Sequence, residues 1–114
     1  MDSKQRKELQ AQYKEREVLG GVFAIRNKVN ARILLGSTVD LRGYRNRFDF
    51  AKNTETCIDL VLMDDWARYG SDSFELEVLE ELPRKAALTD REFRDELAVL
   101  RELWLEKLSG SDFY

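Results

Sequence analysis

Gly21-Val22-Phe23-Ala24-Ile25-Arg26-Asn27-Lys28-Val29-Asn30, followed after Ala31-Arg32 by Ile33-Leu34-Leu35-Gly36-Ser37-Thr38-Val39-Asp40-Leu41, is the stretch that decides the fold. Val22–Arg26 has the β-branched and aromatic content of a strand. Asn27-Lys28-Val29-Asn30 carries turn residues at both ends, and Arg32-Ile33-Leu34-Leu35 is a second apolar run stopped by Gly36. Two such runs joined by a turn predict a β-hairpin. Beyond it, Ser37-Thr38 and Asp40 are helix-capping residues, and Leu41, Tyr44, Phe48 and Ala51 recur at 3/4/3 spacing, an apolar helical stripe that a single Gly43 weakens without abolishing.

Working outward, Asn53-Thr54-Glu55-Thr56 reads as a polar connector. Ile58, Val61, Leu62, Trp66 and Tyr69 then predict an amphipathic helix ending at Gly70. Phe74-Glu75-Leu76-Glu77-Val78-Leu79 alternates with period two, a half-exposed third strand. Pro83-Arg84-Lys85 predicts a loop, and Thr89-Asp90-Arg91-Glu92 has the form of a capping box. The helix it opens carries Phe93, Leu97, Leu100, Trp104 and Leu108 on one face and ends at Gly110. Upstream, residues 3–17 are polar helix formers with only Leu9, Ala11 and Tyr13 to bury, a helix suited to docking on a protein partner or a second copy of the chain. The expected organisation is an N-terminal polar helix over residues 1–19, one domain over 20–110, and a loose tail over 111–114. The fold class is α+β: a small three-stranded antiparallel sheet flanked by three to four helices.

Composition narrows the chemistry. The chain has 114 residues, 43% hydrophobic and 36% charged, which suits one soluble globular domain. It has no apolar run of membrane-spanning length, and its charged start carries no signal-peptide core, so the expected compartment is the cytoplasm. A single cysteine, Cys57, and no histidine exclude an internal disulfide, Cys/His zinc sets, and Ser-His-Asp or Cys-His catalysis. Charge is divided: residues 1–52 hold 12 Lys/Arg against 6 Asp/Glu, and residues 53–114 hold 7 against 16. A basic half suits phosphate binding. Its cluster of Arg26, Lys28, Arg32, Arg42, Arg45 and Arg47 is the candidate nucleic-acid surface. Asp64-Asp65 and the glutamates at 75, 77, 80 and 81 read as a wet face rather than a metal site, Cys57 as structural, and Trp66 and Trp104 as core.

The hairpin and the start of the helix after it resemble the GIY-YIG nuclease superfamily in word order and spacing. The segment from Leu62 through Tyr69-Gly70 into Phe74–Glu81 looks like that family's second block, and Glu102–Leu108 is similar to its closing helix. The match spans residues 20–108. The resemblance implies a three-stranded antiparallel sheet with flanking helices. It also implies phosphodiester hydrolysis in which a hairpin tyrosine serves in deprotonating water, an arginine on the next helix stabilises phosphate charge, and a later glutamate holds one divalent metal.

Carried over one residue at a time, the tyrosine positions fall on Phe23 and Leu34, the arginine position on Tyr44, and the glutamate position on Arg101. Arg45 and Arg42 lie about 100° and 160° from Tyr44 around a helix, and Glu102 is one residue from the metal position. The expectation is therefore a degenerate, non-catalytic domain that contacts DNA, RNA or protein, with no cofactor. The alternative is an endonuclease using magnesium or manganese with Tyr44, Arg45 and Glu102 as substitutes.

Overall fold

The computed structural model describes residues 19–84 and 87–114. The helix expected over residues 3–17 lies outside them. Six main elements follow one another: β1 (Leu19–Asn27), β2 (Ile33–Thr38), α1 (Leu41–Thr54), α2 (Met63–Tyr69), β3 (Phe74–Pro83) and α3 (Asp90–Lys107). Single 3₁₀ turns at Leu60–Leu62 and Ser71–Ser73 flank α2. The strands form one antiparallel sheet in the order β2-β1-β3, the α+β architecture that the sequence predicts.

β1 is central, and Val22, Phe23, Ala24 and Ile25 are all buried, which explains why it reads as a continuous apolar run. Strand alternation sends Phe23 and Ile25 to the layer of α1 and α2, where they join Leu41, Phe48, Ala51, Leu62, Trp66 and Phe74 in the main core. Val22 and Ala24 face the opposite way with Ile33 and Leu35, and there α3 lays down Phe93 and Leu97. The sheet is thus covered on both faces.

Two glycines of the hairpin are required by close approach. A Cβ on Gly21 would stand 2.2 Å from the Glu80 carbonyl oxygen, next to the bulge that shifts the β1–β3 register between Val22 and Phe23. A Cβ on Gly36 would stand 2.6 Å from Cζ of Phe23, whose ring lies across it. The caps are those the sequence names. Asp40 Oδ1 accepts from the Gly43 amide at 2.9 Å. Thr89 and Glu92 form a reciprocal capping box at the start of α3.

Several expectations are corrected. The helix expected from Ile58 to Tyr69 is broken, because Asp59 Oδ1 accepts from the Val61 amide at 3.0 Å and caps a single 3₁₀ turn before α2 begins. β3 runs through Pro83 rather than ending at Leu79, since pairing with β1 continues to Leu19. Trp66 is core, whereas Trp104 stays half-exposed with its indole N–H on Glu80 at 2.9 Å. The tail is not loose. Phe113 bridges Ile33 in parallel, the Ile33 amide donates to Asp112 O at 2.9 Å, and the Tyr114 amide donates to Ile33 O at 3.0 Å, because β2 offers an unpaired edge. No helix among the described residues is long and apolar enough to cross a membrane.

Candidate functional site

The hairpin and α1 bring three of the motif positions into one layer. Phe23 is 4% exposed. The Tyr44 ring packs on it with centroids 4.1 Å apart and planes tilted by 30°. Leu34 pairs with Ile25 on the same side of the sheet and packs against the same core. The fourth position, Arg101, belongs to the other layer: from α3 its Nε donates to Leu35 O at 3.1 Å, and Nη1 pairs with the exposed Glu102 at 3.5 Å.

Tyr44 is the one phenol in this group. Burial, reinforced by the negative charge of Asp59 and opposed by Arg47, pushes its pKa up to about 12. The hydroxyl therefore stays protonated at neutral pH, the opposite of what activation of a water requires. A divalent cation does not fit these residues. A guanidinium occupies the position where the resemblance puts a carboxylate, and among the described residues no three Asp, Glu, Cys or His side chains gather as a ligand set. Glu75 is exposed, and Glu77 pairs with Arg26 at 3.5 Å.

The six basic residues named from the sequence divide into two groups. Arg42, Arg45 and Arg47 are exposed on α1, and among the described residues no salt bridge engages any of them. Arg42 and Arg45, three residues apart, are neighbours on the helix surface, and Arg47 lies 5.3 Å from the centre of the Tyr44 ring. The other three stand on the hairpin. Arg26 is held by Glu77, and Lys28 is exposed at the turn. Arg32 is drawn into the tail: it reaches Asp112 at 3.6 Å, Phe113 O at 3.2 Å and the Tyr114 ring at 4.3 Å.

A polar network at the hairpin tip was missed entirely. Asn27 is fully buried; its Oδ1 accepts from the Val29 amide at 2.9 Å, and its Nδ2 donates to the Tyr114 hydroxyl at 3.0 Å. That hydroxyl donates in turn to Asp65 Oδ2 at 2.6 Å, and Asn30 Nδ2 donates to the same oxygen at 3.1 Å. The Tyr114 hydrogen bond, seconded by Asn30 and the charges of Arg32 and Arg68, holds the Asp65 carboxyl below its ordinary range. Burial, and then Asp65 itself, raises the Tyr114 phenol. Every reactive-looking group here is committed to another. The only local signal was the Asx turn at Asn27, since its partners lie 38 and 87 residues away.

No protein-family model matches this chain, and no curated protein matches it. Among solved structures, the catalytic domain of the homing endonuclease I-TevI superposes with a TM-score of 0.57 at 20% identity, covering 82% of this chain and 94% of that one. A glutamate-to-alanine mutant of the same catalytic domain gives a TM-score of 0.57 at 21% identity, over 80% of this chain and 84% of that one. At such identity the likeness is one of fold. The fold implied by the hairpin and its following blocks is the fold found, that of the catalytic domain of a GIY-YIG homing endonuclease.

Proposed function

We propose that this domain binds nucleic acid through the arginine face of α1 and does not hydrolyse it. One observation carries the proposal: on a single helix Tyr44 is packed against Phe23 as core, while Arg42, Arg45 and Arg47 stand exposed without ion-pair partners among the described residues. The likeness to an endonuclease domain supports a nucleic-acid ligand. Hydrolysis of a phosphodiester requires an activated nucleophile, neutralised phosphate charge and a stabilised leaving oxygen. Phe23 and Leu34 carry no ionisable group, Tyr44 holds its proton, and Arg101 is bonded to Leu35 O. Phosphate binding needs only cations that release counterions, which α1 supplies.

Fluorescence anisotropy with duplex, branched and single-stranded DNA and a short RNA tests this. Three phosphate contacts predict that affinity falls roughly 40-fold between 50 and 200 mM salt. Replacing the three arginines by alanine is expected to flatten that slope by about 2.7. Absence of binding at 50 mM salt would overturn the proposal. So would magnesium- or manganese-dependent nicking abolished by Glu102→Ala, which would make the domain an endonuclease with substituted residues.

A further inference from the structure

α3 carries two apolar faces. Phe93 and Leu97 are buried, whereas Val99 and Leu103 turn away from the sheet and are 61% and 49% exposed. With Leu100 and with Leu82 at the end of β3 they line a groove of about 370 Å³, beside which Asp95 and Glu96 stand. An exposed apolar groove on an otherwise charged helix is the form of a docking surface. Its charges are ordered. Glu96, Val99, Leu103 and Glu106 follow one another at 3/4/3 spacing, which places them along one face of the helix, with a carboxylate at each end and two apolar residues between. Both glutamates are exposed, and among the described residues no salt bridge engages either.

The same spacing with the charge reversed occurs upstream. Arg6, Leu9, Tyr13 and Arg16 lie outside the described residues, in the stretch whose sequence predicts a polar helix over residues 3–17. As helices, both rows are about 15 Å long. The chain also enters at the right place. Leu19, the first residue of β1, pairs with Pro83, and Gly20 pairs with Leu82, a wall of the groove. A Cβ on Gly20 would stand 2.6 Å from Cζ of Phe93, and Glu96 is one helical turn from Phe93. Arg16 lies four residues before Gly20, a span of up to about 13 Å of extended chain. Entry at the Phe93 end brings Arg16 to Glu96 and leaves Arg6 for Glu106, an antiparallel pairing. We propose that residues 3–17 dock as a helix in the α3 groove of their own chain, with Tyr13 on Val99, Leu9 on Leu103, and the two arginines on the two glutamates. The short covalent link favours this occupant over a second copy, because it holds the segment at an effective concentration on the order of millimolar. α1 and α3 cover opposite faces of the sheet, so the docked segment leaves the arginine face of α1 clear, and the inference does not rest on the nucleic-acid reading.

Paired cysteines in the full chain test it, with Cys57→Ser to remove the native thiol and oxidised glutathione as oxidant. Tyr13→Cys with Val99→Cys should give an intrachain disulfide, seen as a faster monomer on non-reducing electrophoresis. It should form at least about tenfold faster than the pair Lys14→Cys with Val99→Cys, in which one thiol is turned about 100° around the helix. Glu96→Arg with Glu106→Arg should slow the reaction, and adding Arg6→Glu with Arg16→Glu should restore it. Hydrogen exchange reads the same contact without a cross-link: the amides of residues 9–16 should exchange about tenfold faster in Leu103→Asp, whose exposed position spares the core. A disulfide-linked dimer in place of the fast monomer would overturn the intrachain assignment and give the groove to a second copy. Equal rates for the two cysteine pairs, with exchange unchanged by Leu103→Asp, would place the segment off the groove and overturn the proposal outright.

Discussion

The two ends of the hairpin solve opposite problems. Around Gly21, Gly36 and Phe23 the side chains are apolar and closely packed, and the backbone approaches so tightly that two positions exclude a Cβ. Around Asn27, Asn30, Asp65 and Tyr114 they are polar and hydrogen-bonded to one another. At the first end the glycines keep the shape shared with an endonuclease domain, although phenylalanine, leucine and tyrosine occupy the positions where the resemblance puts reactive groups. At the second, ionisable groups are present but spent on holding the tail to the edge of β2. On the proposed reading, shape and chemistry are separable in this fold, as function resides in a site and not in a topology. Of the cations named from the sequence, those exposed and clear of these commitments as a group stand on α1.

The comparison can be broken at its tightest point first. Gly21→Ala drives a methyl into the Glu80 carbonyl, a backbone atom that cannot swing away, and is expected to cost about 3 kcal/mol in urea denaturation. At the other end, Asn27→Ala removes a buried amide that serves both the turn and Tyr114, and is expected to cost about 2 kcal/mol and to speed hydrogen exchange at the Tyr114 amide. Alanine at Arg42, Arg45 and Arg47 should weaken DNA binding at 50 mM salt at least about 40-fold, leaving the thermal midpoint in place, because these side chains are exposed and, among the described residues, in no salt bridge.

The smallest effects lie in pH. Asp65 titrates below its ordinary 3.8, so the folded chain binds fewer protons than the unfolded one; its stabilisation is complete above that pH and is lost as pH falls through the folded value. Asp65→Asn should remove that acid limb from a pH series of unfolding curves. Tyr44, raised from 10.0 to about 12, acts in the alkaline range: its contribution is intact below pH 10 and is lost as pH rises toward 12. Tyr114 changes in the same direction, so Tyr44→Phe should reduce the alkaline slope without removing it.

What could be read from the sequence follows the range of the interactions. The hairpin, the Asp40 cap, the Thr89 capping box and the stripe of α1 are patterns within a few residues, and each is found where the pattern lies. The break before α2 was misread because Ile58, Val61 and Leu62 have helical spacing, whereas one side-chain bond from Asp59 redirects the chain. The tail escaped because its order comes from pairing with Ile33, 80 positions earlier in the chain, and from Asp65. At the candidate site, the sequence named six basic residues without distinguishing those paired from those in no salt bridge among the described residues. That distinction depends on where Glu77, Asp112 and Tyr114 come to lie, a property of the folded chain.

The central claim, binding without cutting, is tested most directly by incubating the protein with supercoiled plasmid in magnesium or manganese and resolving the DNA by electrophoresis before and after the protein is stripped away. The account predicts plasmid that is retarded at low salt, released as salt rises, and still fully supercoiled once deproteinised. Open-circular or linear DNA that depends on the metal and disappears with Glu102→Ala would contradict it.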